Sequence, residues 1–189
     1  MKIIITRHGQ TEWNRLGKLQ GQADIRLNEV GKEQAEETVK QIGDEKIDLI
    51  ITSTLTRARE TAEIINKRFN VPIVIDDRIK ERSYGTCEGI TLEERLELKR
   101  NYPIVEDVWN YTKNIDFNGI ETMHDFCKRI YIALDDITER YKDKNVLIVT
   151  HGGAFFPINC YLNKKPLESI VDRKSVKGLQ NCEVAKFEI

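Results

Sequence analysis

The chain has 189 residues, 40% of them hydrophobic and 32% charged, with 30 basic against 31 acidic side chains and a formal net charge of -1. That composition supports one domain with an ordinary core and argues against wholesale disorder. The near-neutral charge has no long run of either sign and no apolar stretch approaches the ~20 residues of a membrane helix, which argues against a nucleic-acid surface and a membrane span.

The opening Met1-Lys2-Ile3-Ile4-Ile5-Thr6-Arg7-His8 turns polar too early for a secretory leader. Cys87, Cys127, Cys160 and Cys182 show no CxxC spacing and read as buried thiols in a reducing compartment, so a cytoplasmic setting is expected. Ile3–Thr6 reads as a buried strand ending at Arg7-His8-Gly9. Asn28 can cap a helix whose inward stripe is Ala35, Val39 and Ile42, closed by Gly43. Ile47–Thr52 is a second strand, ending at Ser53. Beyond it Ala58, Ala62, Ile65 and Phe69 mark one face of a helix. Val71–Ile75 is a short third strand.

Residues 76–119 are charged and weakly periodic, carry Tyr102, Trp109 and Tyr111, and are expected to form a lid of loops and helices over one end of the sheet. Thr122-Met123-His124-Asp125 has the form of a capping box, and Met123, Phe126, Ile130, Leu134, Ile137 and Tyr141 continue as a helical stripe. Asn145–Thr150 is a fourth strand, ending at His151-Gly152-Gly153. A helix follows with Pro157 near its first turn, its N-terminal amides aimed at an anion. Glu183–Ile189 alternates polar and apolar, as an edge strand does. Strands alternate with helices, without repeats or linkers, which predicts a single layered α/β domain over 1–189.

The unusual residues gather at strand ends. The first strand stops at Arg7-His8, the second shortly before Arg57, the fourth at His151, and Glu81 follows the third after a short loop. Open α/β sheets bind ligands at the carboxyl ends of their strands. Two histidines can flank a phosphorus atom in line, one of them attacking through a ring nitrogen. Two arginines offer forked donors to phosphate oxygens, and phosphoryl transfer is mainly a matter of positioning and charge neutralisation. Gly9 and Gly152 permit close backbone approach. Metal ligation by His8 and His151 is the rival chemistry. No HExxH or paired His/carboxylate spacing supports it, and the neighbouring arginines would repel a cation. His124 reads as solvent-facing, and Trp109 and Tyr111 as lid packing. Arg82 and Tyr84 can either reach a substrate or brace the loop.

The stretch Arg7-His8-Gly9-Gln10-Thr11-Glu12-Trp13-Asn14 resembles the signature of the histidine phosphatase superfamily, also called the phosphoglycerate mutase-like family. In order along the chain, Ser53-Thr-Leu-Thr-Arg57-Ala58-Arg-Glu-Thr61-Ala62 resembles its second arginine helix and Glu81-Arg82-Ser83-Tyr84-Gly85-Thr-Cys-Glu88-Gly89 its acid-bearing loop. Val149-Thr150-His151-Gly152-Gly153 resembles its second-histidine strand end, and Asp24 and Leu27 to Gly31 fit the intervening link.

The resemblance implies a three-layer αβα sandwich with a mainly parallel central sheet. It implies catalytic roles for His8, Glu81, His151, Arg7 and Arg57. His8 would carry the phosphoryl group, Arg7, Arg57 and His151 would hold its oxygens, and Glu81 would protonate the leaving alcohol and later activate water. Asn14, Gln20, Gly21, Arg82, Tyr84 and Gly152 are the candidates for substrate binding. No metal or cofactor is needed in that mechanism. The expected partner is a small-molecule phosphate ester, with no nucleic acid and no membrane, on a monomer or homodimer.

Within the family the reading favours a phosphoric monoester hydrolase of the histidine acid phosphatase type over a mutase. Mutases follow a lid tryptophan with two arginines, whereas Trp109 here precedes Asn110 and Tyr111, and Leu92 stands where they carry a lysine. Lys99 and Arg100 can compensate in part, which keeps the mutase as the alternative. A non-catalytic phospho-ligand binder is the third reading. Gly119-Ile120-Glu121-Thr122 resembles the matching segment of broad-specificity and α-ribazole phosphatases, without identifying a substrate.

Overall fold

Period-two alternation along three apolar strands builds the two cores of this protein, whose computed structural model describes residues 1–110, 115–166 and 178–189, without the side chains of 106 and 109. The strands are β1 (Lys2–Arg7), β2 (Leu49–Thr52), β3 (Ile73–Ile75), β4 (Val146–Thr150) and β5 (Val184–Glu188), in the order β3-β2-β4-β1-β5. All neighbours are parallel except β5, which runs antiparallel along β1 at the edge. The helices are α1 (Glu12–Arg15), α2 (Glu29–Ile42), α3 (Thr56–Phe69), α4 (Leu92–Asn101), α5 (Met123–Arg140) and α6 (Phe155–Leu162).

Successive strand side chains point to opposite faces. Ile3, Ile5, Ile51, Val146 and Ile148 therefore meet α5 and α6 on one side. Ile4, Ile50, Leu147 and Val149 meet α2 and α3 on the other. Both faces being covered, the inner strands read as unbroken apolar runs. Each fully buried isoleucine contributes roughly 1.5–3 kcal/mol of burial. The result is a three-layer α/β/α sandwich.

Local chemistry trims the expected boundaries. The third strand begins at Ile73 because Pro72 has no N–H to donate and the Val71 amide turns back to the Asn66 side chain, 2.9 Å away, at the end of α3. Asn28 caps α2 through the Gly31 amide, and Gly43 closes that helix at φ 70°. At α5 the capping box is only half made. Thr122 accepts from the Asp125 amide, but the short Asp125 carboxylate takes the Thr122 hydroxyl instead of reaching the backbone.

The segment after β3 packs a small core of its own, with Tyr84, Cys87, Val108 and Ile120 buried together. All four cysteines are buried and none is in a disulfide. Among the described residues, no helix is long and apolar enough to cross a membrane.

Candidate active site

The parallel register of β1 and β4 pairs Arg7 with Thr150, so the next residue of each strand, His8 and His151, must be neighbours. Their ring centroids lie 5.3 Å apart. The His8 Nδ1 is 2.7 Å from the Gly9 carbonyl, which can only accept. The proton therefore sits on Nδ1 and the Nε2 lone pair is left available. His8 is 2% exposed. Burial, then Arg57 and Arg7, push its pKa well below the usual imidazole range, so the ring is neutral. Gly9 is required here by space, since a Cβ would fall 2.3 Å from the Gly31 carbonyl oxygen of α2.

His151 meets a hydroxyl rather than a carbonyl. Its Nε2 is 2.8 Å from the Ser53 hydroxyl oxygen, which also accepts the Leu55 amide at 3.4 Å. A hydroxyl that donates to Nε2 leaves the ring hydrogen on Nδ1, where it can be given to an anion. That Nδ1 is buried without a partner. Burial and the nearby Arg57 also hold His151 well below the usual imidazole pKa.

Arg57 enters from the first turn of α3 and is fully buried. Its two terminal nitrogens donate to the carbonyls of Ala23 and Gly21, at 2.8 and 2.6 Å. Desolvation brings its pKa to about 10, which leaves it cationic at neutral pH. Arg7 donates to the Leu179 carbonyl at 3.1 Å. A Cβ on Gly152 would press to 3.3 Å from the Arg7 Cζ, so glycine lets this guanidinium lie along the β4 end. The Nε groups of Arg7 and Arg57 are buried without partners, like the His151 Nδ1. Leaving a buried donor unpaired costs about 1–3 kcal/mol, so three beside one histidine call for an acceptor that all can share. A phosphoryl group supplies three oxygens.

Glu81 is 9% exposed. Its carboxylate accepts from the Gly153 amide at 2.7 Å and the Arg82 amide at 2.8 Å. This corrects one expectation. The amide at Gly153, just before α6, holds Glu81 rather than standing open for an anion.

The other candidates divide. The Asn14 Oδ1 caps α1 through the Thr11 amide and also accepts from Asn181, whose amide group is anchored on the His8 carbonyl. Gln20 accepts the Thr11 hydroxyl, and Gly21 offers its carbonyl to Arg57, so both stand behind the site. Arg82 is turned inward, donating to the carbonyls of Glu121 and Val108. Tyr84 lies in the small core formed by the segment after β3. His124 is exposed, as expected. Tyr111 and the Trp109 side chain lie outside the described residues. Sequence reasoning passed over Asn181, Leu179, Arg129 and the role of Ser53. Only Ser53, at a strand end four residues before Arg57, carried any signal. Among the described residues no three His, Cys, Asp or Glu side chains cluster as a metal site would require.

The family model for the histidine phosphatase superfamily (branch 1) matches residues 3–189. The uncharacterized phosphatase PhoE of Bacillus subtilis is 41% identical over 152 residues, covering 80% of this chain and 72% of that protein. Phosphoglycerate mutase-like protein 4 of Arabidopsis thaliana is 32% identical, covering 100% and 79%. Phosphoserine phosphatase 1 of Hydrogenobacter thermophilus is 32% identical, covering 86% and 76%. The solved structure of Bacillus stearothermophilus YhfR superposes with a TM-score of 0.85 at 30% identity, covering 100% of this chain and 91% of that one.

Proposed function

The chain belongs to the histidine phosphatase superfamily, and on that premise we propose that it is a phosphatase acting on a small phosphate monoester through a phosphohistidine on His8. The observation that carries this reading is the free Nε2 of a neutral, buried His8 beside three unpartnered donors: Arg7 Nε, Arg57 Nε and His151 Nδ1. A nucleophile that needs no deprotonation stands where charge on the equatorial oxygens can be neutralised.

In the first step Nε2 forms a bond to phosphorus while the ester oxygen leaves with its bonding pair and takes a proton from the Glu81 carboxyl. In the second, Glu81 removes a proton from water as its oxygen attacks the phosphohistidine, releasing phosphate and restoring His8. The two arginines and His151 hold the transferred group in both steps. Among substrates, the resemblance to a phosphoserine phosphatase at 32% identity puts phosphoserine first for trial.

Rapid quenching after mixing with labelled substrate is expected to trap label on His8, stable in alkali and lost in mild acid, as a phosphoramidate behaves. An acid-stable label, or full activity in His8→Ala, overturns the reading.

A further inference from the structure

The loop that carries Glu81 has no strand or helix of its own between residues 80 and 84, so its carbonyls need partners from elsewhere. One side chain meets those nearest Glu81, with the Gln22 side chain sharing the Glu81 carbonyl at 3.0 Å. Arg129, on α5, donates from one terminal nitrogen to the carbonyls of Arg78 and Lys80, at 2.7 and 2.9 Å. The other terminal nitrogen donates to the Glu81 carbonyl at 2.8 Å and to a Glu121 oxygen at 2.9 Å, and Nε donates to the second Glu121 oxygen at 2.6 Å. All five N–H donors of the guanidinium are thereby used. Glu121 also accepts the Ser83 amide, at 3.1 Å, and the guanidinium lies 4.9 Å from the Phe126 ring.

From these contacts the structure assigns Arg129, paired with Glu121, as the positioning residue that fixes the backbone of Glu81 so that its carboxyl meets the leaving oxygen. This rests on the proposed role of Glu81 as proton donor. The clamp holds the carbonyls of Arg78, Lys80 and Glu81 itself and the amide of Ser83. A rigid anchor at that place matters because the carboxyl has only two further bonds, to the Gly153 and Arg82 amides, to hold it in line. Lysine cannot substitute. Its three donors on a flexible stem cannot reach three carbonyls and chelate Glu121 together.

The test compares phosphoserine, whose alkoxide leaves badly, with p-nitrophenyl phosphate, whose phenolate leaves unaided. Single-turnover rates of His8 phosphorylation are measured for the wild type, Glu81→Gln, Arg129→Lys and the double variant. Arg129→Lys is expected to slow the phosphoserine step about 10- to 100-fold, as a misplaced catalytic group does, with the nitrophenyl step little changed. In the Glu81→Gln background it should add nothing. Equal losses on both substrates, or a further loss in that background, would show a merely structural role and overturn the assignment. Should Glu81→Gln itself slow both substrates alike, the acid reading fails and the clamp's purpose with it, a result distinct from failure of the clamp alone. If Arg129→Lys does not fold, Glu121→Gln is judged by the same criteria, since it keeps the three carbonyl bonds while removing the charge and one of the two acceptor oxygens.

Discussion

Replacing Ser53 by alanine removes one hydroxyl, 2.8 Å from the His151 Nε2, and leaves the ring itself in place. A Ser53 hydroxyl that donates to Nε2 would keep the ring hydrogen on Nδ1. Without it the neutral ring is free to place its hydrogen on Nε2, and Nδ1 then presents a lone pair to an anion it should bind. A hydrogen bond of this kind contributes about 0.5–1.5 kcal/mol net, which converts to a loss of about twofold to tenfold in kcat/KM. Deleting the donor outright, in His151→Ala, should cost on the order of 10²–10³ in kcat, as for other donors to developing charge.

The cycle is completed with the double variant. If Ser53 acts through His151, the alanine substitution should have no further effect once the ring is gone. Competitive inhibition by inorganic phosphate, measured on all four proteins, reads the same coupling without turnover. Ser53 also accepts the Leu55 amide at 3.4 Å near the start of α3, so melting temperatures are recorded alongside. Equal loss of activity in both backgrounds, or undiminished activity in Ser53→Ala, would refute the tautomer argument.

Three further outcomes are expected. His8 and His151 both titrate well below their usual range when folded, so the unfolded chain binds more protons below about pH 6.5. The stability these groups contribute is complete above that pH and is lost as pH falls. The melting temperature should therefore drop on acidification, and less steeply in His151→Asn; a parallel slope in that variant contradicts the assignment. Activity should survive dialysis against EDTA while vanadate, which adopts the five-coordinate geometry of transfer, inhibits strongly; recovery of a chelated enzyme by a divalent ion would contradict the histidine mechanism. Offered 3-phosphoglycerate with its bisphosphate primer, the protein should release inorganic phosphate faster than it forms the 2-isomer, and rapid isomer exchange without release would identify a mutase.

The candidate catalytic set could be picked out in the sequence because each member sits at a place the backbone marks. An apolar run ends, a charged or aromatic heterocyclic residue follows, and glycine stands beside it, as at Arg7-His8-Gly9 and at His151-Gly152. The sandwich was legible for a related reason, since β1, β2 and β4 are buried on both faces and cannot be anything but continuous aliphatic runs.

What escaped is the set of groups that hold the first set still. Arg129 looks like any cation on an amphipathic helix, and its use depends on three carbonyls some fifty residues earlier, in a loop without periodicity. Asn181 reaches the His8 carbonyl across 173 positions of sequence. Arg82, directly after Glu81, is open in the sequence to substrate contact or to bracing of the loop, and its side chain donates to the carbonyls of Val108 and Glu121. A reactive residue announces itself by chemical type and by its place on a strand. A supporting residue is defined by which backbone groups lack partners, and that is settled only when the chain has closed. The difference bears on how substitutions should be read in this fold. A change at Arg129 leaves every candidate catalytic side chain present and should still slow the step that needs Glu81 in place.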